Sequence, residues 1–160
     1  MKQEIYLKKY LSKRKAIFFQ RIFFAFFILP FCLVSRTNKI DSLKEKLLTA
    51  KEENKSAIYN KIAKVMVFNQ PDSGIYYAQL SLALCDKFNN KEQKIGALIN
   101  LGDGFQYKSI YDKSTEFYLQ ALSISLEEKS LSKTASIYNA IGINYYYFAD
   151  YAHAKEYILK

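Results

Sequence analysis

The chain has 160 residues, half of them hydrophobic, with 14 Tyr and 12 Phe against only 5 Gly and 2 Pro. That length suits one domain plus a terminal segment, and so few turn residues exclude an all-β protein with many tight turns; the apolar content supplies a core without disulfides or metal. The net charge of +9 divides unevenly: residues 1–36 carry eight basic side chains and one acid, a net +7, and the remainder carries 16 basic and 14 acidic, a net +2, so the basic character belongs to the leader and DNA or RNA binding by the body, which would want a basic stripe there, is not expected.

The chain opens with a basic stretch, MKQEIYLKKYLSKRKAIFFQR, followed by IFFAFFILPFCLVS, 14 uncharged residues from Ile22 to Ser35. A spanning helix takes about 20 apolar residues, whereas a basic flank before an apolar core of about 7–15 is the pattern of a secretory leader. Residues 1–36 are therefore expected to be a signal peptide or an N-terminal membrane anchor. If uncleaved, residues 16–35 would hold the membrane, with the basic flank in the cytoplasm and the rest exported, periplasmic or anchored at the inner membrane. Cys32 follows Phe31, which is too large for a lipoprotein processing site.

Residues 37–54 are expected to be a capping helix. DSLKEKLLTAKEEN places Leu43, Leu47 and Leu48 on one face with Lys and Glu opposite, and a terminal helix of a stacked array needs such a polar outer face.

Residues 55–160 divide into similar blocks. In the first (55–90), Tyr59, Ile62, Ala63 and Met66 recur with helical spacing, and Pro71 opens a second helix carrying Tyr77, Ala78, Ser81 and Leu82. In the second (91–130), Leu98, Leu101, Gly102 and Phe105 lie on one face. A turn at 108–111 follows, with Asp112 expected to cap a helix whose inner face holds Phe117, Tyr118, Ala121, Leu122 and Ile124. The third (131–160, incomplete) has Tyr138, Ile141, Gly142 and Tyr145, then Tyr151, Ala154 and Ile158.

Blocks two and three align at one constant offset: Gly102 with Gly142, Phe105 with Tyr145, Tyr107 with Tyr147, Tyr111 with Tyr151, Phe117 with Tyr157. In the first block the second helix keeps that offset, whereas the first helix falls one short of it, so one residue is expected to be missing from the turn between them. The aligned positions Ala63, Gly102, Gly142, Phe105, Tyr145, Ala121 and Ala154 are expected to be the packing contacts. The glycines would let a neighbouring backbone approach, and small residues of the second helices (Gly74, Ser114, Ala154, Ser81, Ala121) would seat the aromatics.

Leu98-x2-Leu101-Gly102-x2-Phe105 and Tyr138-x2-Ile141-Gly142-x2-Tyr145, with Ser114, Tyr118, Ala121 and then Ala154, Ile158, resemble the tetratricopeptide repeat family. The family's Trp is replaced by Leu or Tyr, its closing Pro is absent, and the period is about 40 rather than 34. This is similar to the long-helix variants in exported or sensory regions of bacterial signalling proteins. The resemblance implies an all-α, TPR-like α-solenoid of about three repeats after the leader. It also implies a concave wall built by the first helices, with Asn60, Lys64, Asn100, Asp103, Gln106, Tyr107, Asn139, Tyr146 and Tyr147 as groove candidates.

Chemistry is sparse. His153 is the only His and is expected on a helix surface, and Cys85 is expected to be a small buried hydrophobe. LGDGFQ lacks the strand that precedes a phosphate loop. No catalytic, metal or cofactor site is expected. The expected role is a non-catalytic scaffold holding a protein or peptide. The alternative is the sensory input part of a membrane histidine kinase or transcription regulator, with further repeats or an output domain after Lys160.

Overall fold

The computed structural model describes the backbone of residues 29–160 and the side chains of residues 39–160. Apart from the backbone of residues 29–36, the expected leader lies outside the described residues. Among those residues, no helix is long and apolar enough to cross a membrane.

Among the described residues seven helices follow in order: α1 (Leu29–Thr49), α2 (Glu52–Met66), α3 (Pro71–Lys87), α4 (Lys91–Tyr107), α5 (Tyr111–Glu127), α6 (Leu131–Tyr147) and α7 (Tyr151–Ile158). The chain forms two compact units, Met1–Ser42 and Leu43–Lys160. In the first, the described part is the helical backbone of residues 29–42. The second contains the repeats.

The end of α1 differs from the expected capping helix. It stops at Thr49, and Glu52–Asn54 open α2 instead. Leu43 is buried and Leu47 half-buried, but Leu48 is 87% exposed. At 3.6 residues per turn Leu48 lies about 140° round from Leu43, too far to share its face.

From α2 onward each helix packs on the next, and α2 also touches α4. Equivalent positions of the three first helices, Ile62, Leu101 and Ile141, are at most 1% exposed. Each such burial contributes about 1.5–3 kcal/mol. Between them and the second helices lie Ala63, Ala78, Tyr118 and Ala121, all fully buried. Phe105 stacks on Phe117 at 5.5 Å and 10°, and at the equivalent place in the next block Tyr145 stacks on Tyr157 at 5.4 Å and 14°. These aromatics therefore rest on aromatics, not on the small residues of the second helices. Two of those small residues make hydrogen bonds: Ser114 Oγ accepts from Asn144 Nδ2 at 2.8 Å, and Ser81 Oγ donates to the Ser56 carbonyl at 2.9 Å.

The helix starts Pro71, Lys91, Tyr111, Leu131 and Tyr151 are evenly spaced, so the long repeat is two equal steps. Four of the steps close alike. Asn89, Ser109, Lys129 and Ala149 adopt left-handed φ of 51°, 59°, 52° and 59°. The next amide then donates back five positions: Asn90 to Cys85, Ile110 to Phe105, Ser130 to Ser125 and Asp150 to Tyr145, at 2.9–3.0 Å. This is the Schellman closure, in which the left-handed residue is usually glycine because a Cβ there costs about 1–2 kcal/mol. Replacing exposed Ala149 with glycine is expected to stabilise the fold by about 0.5–1 kcal/mol, after the larger entropy loss of glycine is subtracted. A higher urea midpoint at unchanged slope is the expected readout.

The first helix pair is shorter, but not in the expected place. The step from Glu52 to Pro71 is one position less than the step from Lys91 to Tyr111. The loss falls on the helix, 15 residues against 17, while the connection 67–70 is one position longer than 108–110. No left-handed residue closes it; the Asn69 and Gln70 amides both donate to the Met66 carbonyl, and Pro71 takes the first helical position. Asp112 is also not a cap. It is the second residue of α5, whose N-cap is Ile110 and has no side-chain bond. Its charge there still favours the helix N-terminus.

Candidate functional site

A groove of about 600 Å³ opens between the first helices of the repeats. Its walls come from α2 (Ala57, Asn60, Lys61, Lys64), α4 (Glu92, Gln93, Gly96, Ile99, Asn100, Asp103) and α6 (Ser132, Lys133, Ser136, Ile137, Ala140), with Tyr118 of α5 behind them. Of the nine candidate groove residues, the structure brings Asn60, Lys64, Asn100 and Asp103 together here.

The two asparagines are engaged within the protein. Asn60 Nδ2 donates to the Gln93 carbonyl at 2.8 Å and to Gln93 Oε1 at 3.0 Å. Asn100 Nδ2 donates to the Asn60 carbonyl at 3.1 Å and Asn60 Oδ1 at 3.3 Å. Both side chains are buried, at 8% and 5% exposure. They fasten α2 to α4 rather than standing free for a ligand's backbone. The next step of this ladder would fall at Ala140, which has no amide side chain. There the fastening moves to Gln106, whose Nε2 donates to Asn144 Oδ1 at 2.7 Å, and Asn144 is fully buried.

The remaining candidates lie elsewhere. Tyr107 meets Phe68 edge to face at 5.2 Å, and Tyr147 stacks on Tyr111 at 4.8 Å and 5°. Tyr146 meets Tyr147 and Tyr151. All three are at least half exposed. They sit at the C-terminal ends of α4 and α6, beyond the stretches 92–103 and 132–140 that line the groove. Asn139 is exposed and does not line it.

Sequence reasoning did not find Lys61, Gly96 or Lys133. Lys61 is one turn from Lys64, and that spacing on one helix face was the available signal. Lys133 pairs with Glu92 across the α4–α6 boundary. Among the described residues, no carboxylate lies within 4.0 Å of the ammonium groups of Lys61 or Lys64.

Asp103 is the half-buried charge of the site. Tyr118 Oη donates to its Oδ1 at 2.6 Å. Burial raises the Asp103 carboxyl above its ordinary value, while the Tyr118 bond and the Lys64 charge pull the other way. Tyr118 itself is raised well above the ordinary phenol range, first by burial and then by the Asp103 charge. The phenol therefore stays protonated and donates to Asp103.

Of the packing positions, Ala63, Gly102, Gly142, Ala121 and Ala154 are buried, and Phe105 and Tyr145 are partly buried. The glycines act differently from one another. A Cβ on Gly102 would stand 2.5 Å from Tyr118 Cδ1, so Gly102 seats a ring and not a backbone. A Cβ on Gly142 would meet Ile158 Cγ1 at 2.6 Å and the Ala154 carbonyl at 3.1 Å, a true approach of backbones. Cys85 is buried and in no disulfide, and burial pushes its thiol up. His153 is on the surface of α7, with Nδ1 2.6 Å from Asp150 Oδ2. Among the described residues, no three His, Cys, Asp or Glu side chains converge to hold a metal.

No protein-family model and no curated protein matches the sequence. Solved structures do. The TPR domain of Arabidopsis FLU superposes with a TM-score of 0.63 at 21% identity, over 67% of this chain and 91% of that one. Rap protein complexed with competence and sporulation factor superposes with a TM-score of 0.70 at 20% identity, over 81% of this chain and 38% of that one. The fold is thus a tetratricopeptide-like, all-α solenoid of paired helices.

Proposed function

We propose that the chain is a non-catalytic scaffold that holds an extended segment of a protein partner in the groove between α2, α4 and α6. The observation that carries this reading is the groove itself. It runs across the first helices of successive repeats, has an apolar floor of Ile99, Ile137 and Ala140, and is rimmed by Lys61 and Lys64. A pocket of this volume with apolar walls and a few polar groups suits a few residues of an extended chain. The Rap structure, complexed with competence and sporulation factor, supports a ligand-holding role for such a fold. The basic flank and apolar run before residue 36 support export or anchoring of the repeats outside the cytoplasm.

Gly96 provides the test. A Cβ there would meet only the Asn60 amide, with Nδ2 at 3.0 Å. Gly96→Leu fills the groove while removing none of its polar groups, and it replaces a poor helix former with a good one worth about 0.5–1 kcal/mol. Peptides selected from a phage-displayed random dodecamer library against the full chain are expected to bind Gly96→Leu at least about tenfold more weakly, a loss of about 1.4 kcal/mol. The melting temperature is expected to hold. Equal binding by a correctly folded variant would move the ligand site away from this groove.

A further inference from the structure

The groove has an uneven charge layout. Lys61, Lys64 and Lys133 face it against Glu92 and Asp103, a net of +1. The Lys133 ammonium is taken by Glu92, and the groove amides are taken by one another. That leaves Lys61 and Lys64, both exposed, as cations with no carboxylate within 4.0 Å among the described residues, and Asp103 as the one carboxylate behind them. Asp103 is fixed in place. Its Oδ1 holds the Tyr118 hydroxyl, and the Tyr118 ring is fully buried against Gly102. It cannot swing away when a ligand enters.

Resting on the groove reading above, we propose that the ligand segment is acidic, that its carboxylates are held by Lys61 and Lys64, and that Asp103 takes up a proton as the segment binds. The charge layout chooses the occupant: the exposed groups at the mouth are cations, and charge complementarity selects the partner. The proton follows from Coulomb's law. A carboxylate brought to Lys64 lies near Asp103 too, and two like charges in a partly desolvated site favour protonation of one. The more buried of the two is Asp103, which has already lost much of its hydration and is kept ionised against that loss by Tyr118 and Lys64. Tyr118 from α5 and Lys64 from α2 act on it directly, and the other charged groups lining the groove are Lys61 from α2 and the Lys133–Glu92 pair at the α4–α6 rim; α3 and α7 put none into the groove. Protonation raises the groove from +1 to +2, so the proton and the acidic segment favour each other's binding, and that coupling is reciprocal.

Acetyl-tetraglutamate amide and acetyl-tetralysine amide serve as probes against the full chain, by titration calorimetry in buffers of different ionisation heat and by carbon NMR of the Asp103 carboxyl. The acidic probe is expected to bind about tenfold or more tighter than the basic one. Its affinity is expected to rise as pH falls through the Asp103 midpoint, with net proton uptake and an upward move of that midpoint on saturation. In Asp103→Asn the acidic probe is expected to bind more tightly at neutral pH and to lose that proton uptake, so any residual pH dependence belongs to the probe's own carboxyls. Lys64→Met is expected to weaken it about tenfold. Tighter binding of the basic probe, no binding of either, or an Asp103 midpoint that stays put on saturation would overturn the proposal. The random-library result with Gly96→Leu is independent of ligand charge and would still decide whether the groove is used at all.

Discussion

Gly74→Ala is expected to destabilise the fold by about 3 kcal/mol or more, visible as a lower urea midpoint and a melting point depressed by roughly 10 °C or more. A Cβ at Gly74 would stand 2.7 Å from both Cα and N of Val67 and 2.5 Å from its Cγ1. Two of those three atoms are backbone, so no rotamer relieves the contact. The equivalent positions in the next two blocks are Ser114 and Ala154, which carry a Cβ and are well buried. The difference lies in the first helix pair, which is one position shorter between helix starts and closes through the connection 67–70 without a left-handed residue. That closure presses Val67 onto the first turn of α3. Lengthening this pair by one residue at the C-terminal end of α2, where it is short, in the Gly74→Ala background is therefore expected to recover part of the lost stability. If Gly74→Ala alone costs less than about 1 kcal/mol, the close approach of Val67 is wrong.

Gly102→Ala is the second large effect, about 2–3 kcal/mol, and it carries a signature that a simple packing defect lacks. The added Cβ would meet the Tyr118 ring, 2.5 Å from Cδ1 and 2.9 Å from Cζ. That ring is fully buried and its hydroxyl is bonded to Asp103 at 2.6 Å. Moving the ring stretches the hydrogen bond, and a half-buried carboxylate then loses a donor, which itself costs about 1 kcal/mol. The Asp103 carboxyl is therefore expected to rise further in Gly102→Ala, because the Tyr118 bond helps to hold it down against burial. The sign of the pH dependence follows. A carboxyl whose folded value lies above its unfolded value binds its proton more tightly when folded. Its penalty is absent below the unfolded value and grows as pH rises towards the folded one, above which it is complete. The stability deficit of Gly102→Ala is thus expected to be larger at neutral than at acid pH. Gly142→Ala is the internal control. Its Cβ meets Cγ1 of Ile158 at 2.6 Å, in a 54% exposed side chain that can turn about its χ1, and the Ala154 carbonyl lies at 3.1 Å. A loss of about 1 kcal/mol is expected there.

The helix pairs were visible in the sequence because the constraint that builds them is local and repeats in kind. Ile62, Leu101 and Ile141 fill one position, Ala63, Gly102 and Gly142 the next, and the ring pairs Phe105–Phe117 and Tyr145–Tyr157 recur in the same places. The half-step was not visible. The left-handed residues that mark it are Asn, Ser, Lys and Ala, which share no side-chain chemistry, because backbone hydrogen bonds hold that conformation. The site was partly legible for a similar reason. The resemblance to the repeat family implies a groove wall that includes Asn60, Lys64, Asn100 and Asp103, and these four line the groove, yet the engagement of both amides depends on partners far off in the chain, Gln93 for one and Asn60 itself for the other. Tyr107, Tyr146 and Tyr147 do not line this groove, because a residue's place in the repeat pattern gives the face of a helix and not the height along it. They stand on α4 and α6 but past the last groove residues, Asp103 and Ala140.

The even stride between helix starts has a consequence for how such a chain changes length. Each stride ends in the same backbone geometry at Asn89, Ser109, Lys129 and Ala149 and asks for no particular side chain there. A tandem copy of two strides, joined at any of these points, presents to its neighbours the same surface it replaced. Growth or loss of whole rungs is thereby nearly free of new clashes, whereas a single odd residue must be absorbed by a hinge such as the one Gly74 tolerates.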